Sequence, residues 1–335
     1  MTPLRLGIVG PGLIWEHAHK PVISRLYEHF LPTAFSARSA ETRDKVAEQY
    51  PQCSFYTDYR DLVRSEEIDA VVALTPIPMN ATVGISALEA GKHVFLEKPI
   101  ALNTQEALRL IEAEERSGKR VFVLEQVPYD PVWTPMREAL GAGEIGQAVC
   151  YEKATHVYLE AEDDPRSGYG GTDWRKRPDF PLGLVFDGGI HDLAVLSSFF
   201  GQPERVYAQG AKLREEFGEY DQTIMLLGYG NGISGMFSHS GFLGGSRNYF
   251  VIRGTEGLLY QDSAQLYLES KQGHRKDLEV EQTSAHERMW QHFVHCLEQD
   301  RAPDYNASRS LLEFRVFDAI AESLQGGKAA AVPGA

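Results

Sequence analysis

The sequence predicts an α/β protein, with an N-terminal Rossmann dinucleotide-binding domain followed by a C-terminal α+β domain built on a large, mostly antiparallel open sheet. Three observations carry this. From residue 4 to about 126, short apolar runs alternate with helix-length amphipathic segments, the rhythm of βα units on a parallel sheet. The first run ends in the glycine turn Gly7-Ile8-Val9-Gly10-Pro11-Gly12. After Pro128 the β-like runs lengthen and are joined by glycine-rich turns, as antiparallel strands are.

Taken in order, six strands are expected over residues 4–9, 33–37, 54–56, 70–74, 93–96 and 120–124, each rich in Val, Ile, Phe or Leu as buried parallel strands are. The helix after the fifth strand opens at Asn103 with Glu106 three residues on, carries Ala107, Leu110 and Ile111 on one face, and stops at Ser117-Gly118. The helix before His93 stops at Gly91, a usual C-terminal glycine. Beyond these, strands are expected over 147–159, 205–212, 221–228, 232–239 and 249–253, then helices over 285–299 and 308–324. The Gly/Ala-rich tail is expected to fray. The division is therefore residues 1–126 for a dinucleotide, 127–325 for substrate and subunit contacts, and 326–335 as a flexible tail.

Composition excludes several classes. Lysine plus arginine total 33 against 47 for aspartate plus glutamate, a net charge of −14, and such a field repels a phosphate backbone. The nearest basic cluster, Trp174-Arg175-Lys176-Arg177, is too short to offset it, so no nucleic-acid partner is expected. Cys53, Cys150 and Cys296 are too far apart for a CxxC pair, a zinc cluster or a disulfide framework. No apolar run approaches the roughly 20 residues that cross a bilayer, so no membrane span is expected. The N-terminus reads as a mature cytosolic start, and the expected location is cytoplasmic.

The glycine turn sits between a strand and a helix, the context that gives such a motif meaning. Gly10 permits the tight turn and Gly12 lets a pyrophosphate approach the backbone. The following Leu13 and Ile14 open the helix whose N–H groups face the anion. The third position of the pattern is Trp15 rather than a small residue, so its ring is expected to point outward or the helix–strand contact to be relaxed. At the end of the second strand the chain reads Phe35-Ser36-Ala37-Arg38-Ser39. The carboxylate that would take the ribose 2′-OH is missing, Arg38 is placed to pair with a 2′-phosphate, and Ser39 also caps the next helix, which favours NADP(H) over NAD(H).

The fifth strand leads into Glu97-Lys98-Pro99, two opposite charges at the ligand-binding end of an apolar strand, and Thr75-Pro76 shapes the matching end of the fourth. Further on, Asp187-Gly188-Gly189-Ile190-His191 places an acid and a histidine four apart, on one face of a helix. A histidine takes or returns a hydroxyl proton near neutral pH. Together with Gly91-Lys92-His93-Val94 and Gly143-Glu144-Ile145-Gly146, these motifs make most of the chain resemble the Gfo/Idh/MocA oxidoreductases.

That resemblance implies a Rossmann domain, a C-terminal sheet domain through which many members form homodimers or homotetramers, and hydride transfer on a sugar, an inositol or a related cyclic diol. It implies that Lys98 lies beside the nicotinamide and the substrate hydroxyl, and that Asp187 and His191 complete the catalytic set. Glu97 and Lys98 with Gly10, Gly12, Leu13, Ile14, Arg38, Ser39, Thr75 and Pro76 form the expected cofactor site. The run Gly171-Thr172-Asp173-Trp174-Arg175 resembles a subgroup in which Trp174 and Arg175 approach the pocket, and Gln126 and His156 are further candidates for substrate binding. The chain departs from many members in having Ala194 where they carry an acid, and Ile77 and Asn80 after Thr-Pro. The same fold also hosts inactive dinucleotide-dependent sugar sensors and NAD-dependent glycosidases. No metal is expected: His17 with His19, and His292 with His295 and Cys296, read as structural, the latter without a nearby carboxylate. The glycine-rich turn at 241–246 precedes no helix and is not read as phosphate-binding.

Overall fold

In the computed structural model, which describes residues 2–158, 172–176, 179–243 and 248–335, six parallel strands form the first sheet. They are β1 (Leu4–Val9), β2 (Phe30–Ser36), β3 (Ser54–Tyr56), β4 (Ala70–Ala73), β5 (His93–Glu97) and β6 (Val121–Leu124), in the order β3-β2-β1-β4-β5-β6. This is the doubly wound order, with its topological switch between β1 and β4. A helical stretch follows β1 as a π-helical turn, Trp15–His19, continuing into α1 (Lys20–Arg25). The remaining crossovers are α2 (Ala40–Gln49), α3 (Tyr59–Arg64), α4 (Ile77–Glu89) and α5 (Thr104–Ser117). The signals at α5 act as read: Asn103 accepts the Glu106 N–H at 2.9 Å, Glu106 accepts the Leu102 N–H at 3.0 Å, and Gly118 ends the helix with φ 63°.

β2 begins at Phe30, earlier than the sequence suggests, because Pro32 lies before the short β3 starts to pair, at Ala34↔Ser54, and so needs no N–H on that side.

The second sheet has nine described strands: β7 (Ala148–His156), β8 (Arg205–Ala211), β9 (Gln222–Gly228), β10 (Ser234–Ser240), β11 (Tyr249–Gly254), β12 (Gly257–Asp262), β13 (Leu266–Ser270), β14 (Arg275–Asp277) and β15 (Ala330–Ala331). Their order is β14-β13-β12-β11-β7-β10-β9-β8-β15, and every pair is antiparallel except β7 with β10. The helices of this part are α6 (Trp133–Gly141), α7 (Asp173–Lys176), α8 (Leu184–Asp187) and α9 (Gly189–Phe200). α9 packs on the sheet through Phe200, stacked 4.7 Å from Tyr151, and Phe199, edge-on 5.4 Å from Phe250. Two helices close the chain, α10 (Ala285–Glu298) and α11 (Ala307–Gly326).

Two compact units emerge, Met1–Gln126 with Ser284–Leu311, and Val127–Thr283 with Leu312–Ala335. α10 thus belongs with the parallel sheet, where a division by sequence position alone places it in the second domain. Its buried Met289, Trp290, Phe293 and Cys296 explain why. Trp290 stacks on Phe95 at 4.9 Å and meets Phe30 edge-on at 5.0 Å, and Phe293 lies 5.2 Å from Phe122, so the helix supplies the aromatic cover of this face.

The tail also departs from expectation. Rather than fraying, it adds β15 beside β8, pairing Ala330 with Val206, and the Val332 N–H reaches Glu204 O at 2.8 Å. Small side chains let Ala330 and Val332 be buried at the sheet edge. The strands β12 to β14 are not legible as separate runs, because their exposed face is mixed in polarity and β14 is exposed throughout. Residues 159, 171, 177 and 244–246, which fall within the expected 147–159 strand, the Trp-Arg run, the basic cluster and the 241–246 turn, lie outside the described residues.

Candidate active site

The glycine turn is built as its residue types require. Gly10 has φ +76°, and a Cβ there would stand 2.6 Å from Leu74 O, so only glycine fits. Its N–H donates to Ser36 O at 2.9 Å. Gly12 is different. A Cβ at Gly12 would meet nothing closer than Gly10 O at 3.9 Å, so the protein itself leaves this position open. The helix that starts at Leu13 carries no side-chain cap, and its first N–H groups are free to face an anion. An open glycine before an uncapped helix start fits a dinucleotide pyrophosphate.

Trp15 points inward, fully buried, with its ring edge-on to Phe35 at 5.9 Å. The wider π-helical turn from Trp15 to His19 gives the bulky ring room where a small residue is usual.

At the end of β2, Arg38 and Ser39 are exposed. Ser39 Oγ accepts the Thr42 N–H at 3.4 Å and so caps α2. Arg43, which sequence reasoning missed, holds this turn from α2: its Nη1 donates to Ala37 O at 2.9 Å and to Arg38 O at 2.8 Å. The Arg43 guanidinium therefore lies against the corner where a dinucleotide's ribose 2′ substituent falls in this fold, and Arg38 stands exposed on the same turn. The place of Arg43 in the first turn of α2, on the loop side, was the available signal.

The β4 and β5 ends are braced together by Asn80. This fully buried side chain accepts the Thr75 hydroxyl at 2.7 Å and donates to Glu97 O at 3.1 Å and Pro99 O at 2.8 Å. Glu97 in turn bonds His19 at 2.9 Å and accepts the Lys98 N–H at 3.1 Å. Burial alone would raise the Glu97 carboxyl, but the His19 bond and the nearby Lys98 and His286 hold it below the usual carboxylate range. Gly10, Gly12, Leu13, Ile14, Arg38, Ser39, Thr75, Pro76, Glu97 and Lys98 are thus gathered at the carboxyl ends of β1, β2, β4 and β5. Gln126, partly exposed, follows the end of β6.

In the second unit, Asp187 ends α8 and His191 lies in the first turn of α9, with only Gly188 between the helices, itself in right-handed helical conformation. Asp187 is buried and paired to Arg175, whose Nε donates to Oδ2 at 2.6 Å. The Arg175 guanidinium lies 4.2 Å from the Trp174 ring centre. Arg175 is thereby attached to one of the expected catalytic groups. His156, at the end of β7, bonds Ser238 at 2.8 Å; burial and the neighbouring His239 push its imidazole down.

Beneath the Asp187–His191 turn lies a buried ionic cluster. Asp192 Oδ1 receives Lys153 Nζ at 3.0 Å and Thr155 Oγ1 at 2.9 Å, and His239 Nδ1 lies 3.4 Å from Oδ2 without the geometry of a hydrogen bond. Burial would raise the Asp192 carboxyl, but Lys153 and His239 hold it far below the ordinary range. A Cβ on Gly188 would come within 3.0 Å of the His239 ring, which explains the glycine in the motif. Lys153 and His239 were missed; the signal was a lysine two residues beyond Tyr151 in β7, at an inward position of the alternation.

Of the histidines considered for metal, His19 is tied to Glu97. His292 accepts the Asp304 N–H at 3.0 Å, so a carboxylate does stand near it. No group of three or more metal-ligating side chains occurs among the described residues.

A glycine-turn Rossmann sheet, a Glu-Lys-Pro strand end and an Asp-x-x-x-His turn over an open mixed sheet define a nicotinamide-dependent dehydrogenase or reductase. The chain belongs to the Gfo/Idh/MocA family: residues 4–125 match its oxidoreductase family model with an NAD-binding Rossmann fold, and residues 133–260 match a Gfo/Idh/MocA C-terminal domain. It is 29% identical over 269 residues to an uncharacterised protein of Saccharomyces cerevisiae, covering 78% of this chain and 75% of that one. It is 23% identical over 227 residues to scyllo-inositol 2-dehydrogenase (NADP(+)) of Bacillus subtilis, covering 68% of this chain and 60% of that one. Its fold matches an oxidoreductase from Thermotoga maritima with TM-score 0.89 at 26% identity, over 98% of each chain. Among the described residues, no helix is long and apolar enough to cross a membrane.

Proposed function

We propose that the chain is an NADP(H)-preferring oxidoreductase that moves a hydride between nicotinamide and a carbinol or carbonyl carbon of a sugar, an inositol or a related cyclic diol. The observation that carries this reading is the Glu97-Lys98-Pro99 strand end, held by Asn80 at the same sheet edge as the glycine turn. The dinucleotide supplies or accepts the hydride when bound. Lys98 holds and polarises the substrate oxygen with its ammonium. His191 gives or takes the hydroxyl proton, and Asp187, itself oriented by Arg175, directs the substrate or the imidazole. Trp174, Arg175, His156 and Gln126 are assigned to substrate binding, an indole face and a guanidinium suiting a polyhydroxylated ring.

Preference for NADP(H) is supported by Arg38 and Arg43 at the end of β2, where no carboxylate stands to take a free 2′-hydroxyl. The name of the Bacillus subtilis relative points the same way. A homodimer or homotetramer formed through the open sheet is supported by the exposed Ile224 and Leu226 of β9. Reduction of NADP+ and NAD+ with a panel of myo-inositol, scyllo-inositol, glucose and cyclic diols tests the reading. Turnover with at least one polyol, faster with NADP+, is expected. Cofactor retained through purification with no net turnover would favour a glycosidase, and stronger thermal protection by NADH than by NADPH would overturn the cofactor preference.

A further inference from the structure

The Glu97 carboxylate is held by more than its own loop. His19 is fully buried at the end of the π-helical turn that follows the glycine loop, and its ring is bonded at both nitrogens. Nδ1 takes the indole N–H of Trp290 at 3.1 Å, and Nε2 meets Glu97 Oε1 at 2.9 Å. An indole nitrogen only donates. A proton on Nδ1 would face another proton, so Trp290 selects the tautomer with Nδ1 bare, and the ring proton sits on Nε2, pointing at Glu97. Further charge around this point comes from His286 of α10, whose ring is edge-on to His19 at 5.7 Å, and from Lys98. The second carboxylate oxygen, Oε2, receives the backbone N–H of Lys98 at 3.1 Å.

We propose that His19 is a positioning residue for Lys98: with its tautomer fixed by Trp290, its Nε2–H pins one oxygen of Glu97 so that the other holds the Lys98 backbone and the carboxylate stays beside the lysine. The consequence is a carboxylate fixed at the strand end, with the Lys98 backbone held by one oxygen and the other taken by the imidazole. It also ties the helix of the glycine loop directly to the Glu-Lys-Pro strand end, because His19 and Gly12 belong to one loop–helix segment. The proposal rests on the reading above for what Lys98 does, and is tested apart from it.

Competitive acetylation of the intact protein with acetic anhydride at about pH 7.5, read by mass spectrometry on the Lys98 peptide against the other lysines, needs no substrate. Glu97→Gln removes the neighbouring charge, and Lys98 is expected to label about fivefold faster. His19→Ala leaves the buried carboxylate free to rotate or take up a proton, and labelling is expected to rise at least threefold. His19→Gln, whose amide N–H stands where Nε2–H stood, is expected to stay close to wild type. Trp290→Phe, which keeps an apolar ring but releases Nδ1, is expected to fall between. Lys98→Met, assayed by NADP+ reduction with the polyol that turns over in the panel, tests the underlying reading separately. Wild-type labelling in both His19→Ala and Trp290→Phe, each with wild-type circular dichroism, would overturn the positioning role. Undiminished turnover by Lys98→Met would instead overturn the role given to the lysine, whatever the labelling shows.

Discussion

Replacing Lys153 by Met leaves Asp192 as a buried carboxylate without its cation. Both side chains are almost enclosed, 8% and 7% exposed, and the ammonium sits 3.0 Å from Oδ1 and faces the rings of Trp133 and Phe250, each 5.6 Å away. Solvent screening is therefore slight, and breaking one side of such a pair costs about 3–5 kcal/mol, on the order of 10 °C in the melting temperature of this unit. The pH dependence fixes the cause. In the wild type the folded Asp192 carboxyl lies below its unfolded value, so its stabilisation is full above the ordinary carboxyl range near 3.9 and is lost as pH falls below it. Burial is already the largest single influence on this carboxyl, and without Lys153 it is opposed chiefly by His239, so the folded carboxyl is expected to rise above its unfolded value. The variant then gains stability relative to wild type as pH falls from about 7 to about 5, because the folded state now binds the extra proton. Urea unfolding followed by circular dichroism at those two pH values measures the gap, and Lys153→Met with Asp192→Leu is expected to recover most of it. A loss below about 1 kcal/mol, or a gap that does not narrow on acidification, would refute the reasoning.

Other consequences follow from single contacts. Gly10→Ala puts a Cβ 2.6 Å from Leu74 O at φ +76° and is expected to lower both thermal stability and dinucleotide affinity, whereas Gly12→Ala, with open space at 3.9 Å, is expected to melt like wild type yet bind NADP+ at least about tenfold more weakly by titration calorimetry. Arg38→Ala is expected to raise the Kd for NADP+ about tenfold and leave that for NAD+ within about twofold; equal losses for both would remove Arg38 from 2′-phosphate recognition. Asn80→Leu leaves Glu97 O and Pro99 O without their amide donor, at a cost of about 1–3 kcal/mol each where buried, and turnover is expected to fall with the melting temperature.

Much of the fold was legible because its signals are local. β1 and β3 were read to the residue, and the N-cap at Asn103 and the stops at Gly91 and Gly118 act as their residue types suggest, since each depends on backbone preferences within a few residues. What was not legible is set by long-range partners. The aromatic face of α10 reads as any amphipathic helix, and nothing local says that it covers Phe95 and Phe122 rather than the nearer sheet. The tail has no hydrophobic alternation, yet Ala330 is small enough to complete the edge beside Val206. The candidate site divides the same way. The charged residues that stand out, Lys98, Asp187 and His191, are visible as motifs, while those that hold the motifs in place, His19, Asn80, Lys153 and His239, are buried and gain their meaning from partners on other elements, 17 residues away for Asn80 with Glu97 and 78 for His19 with the same residue.

Direct hydride transfer is the central claim, and isotope transfer tests it most directly. With both C4 positions of the reduced nicotinamide deuterated and a keto-inositol or aldose as acceptor, mass spectrometry is expected to find one deuterium on the carbinol carbon of the product for each cofactor oxidised, with His191→Ala slowing the transfer by orders of magnitude. Product without deuterium, or no product from any polyol or keto acceptor with either dinucleotide, would contradict the account.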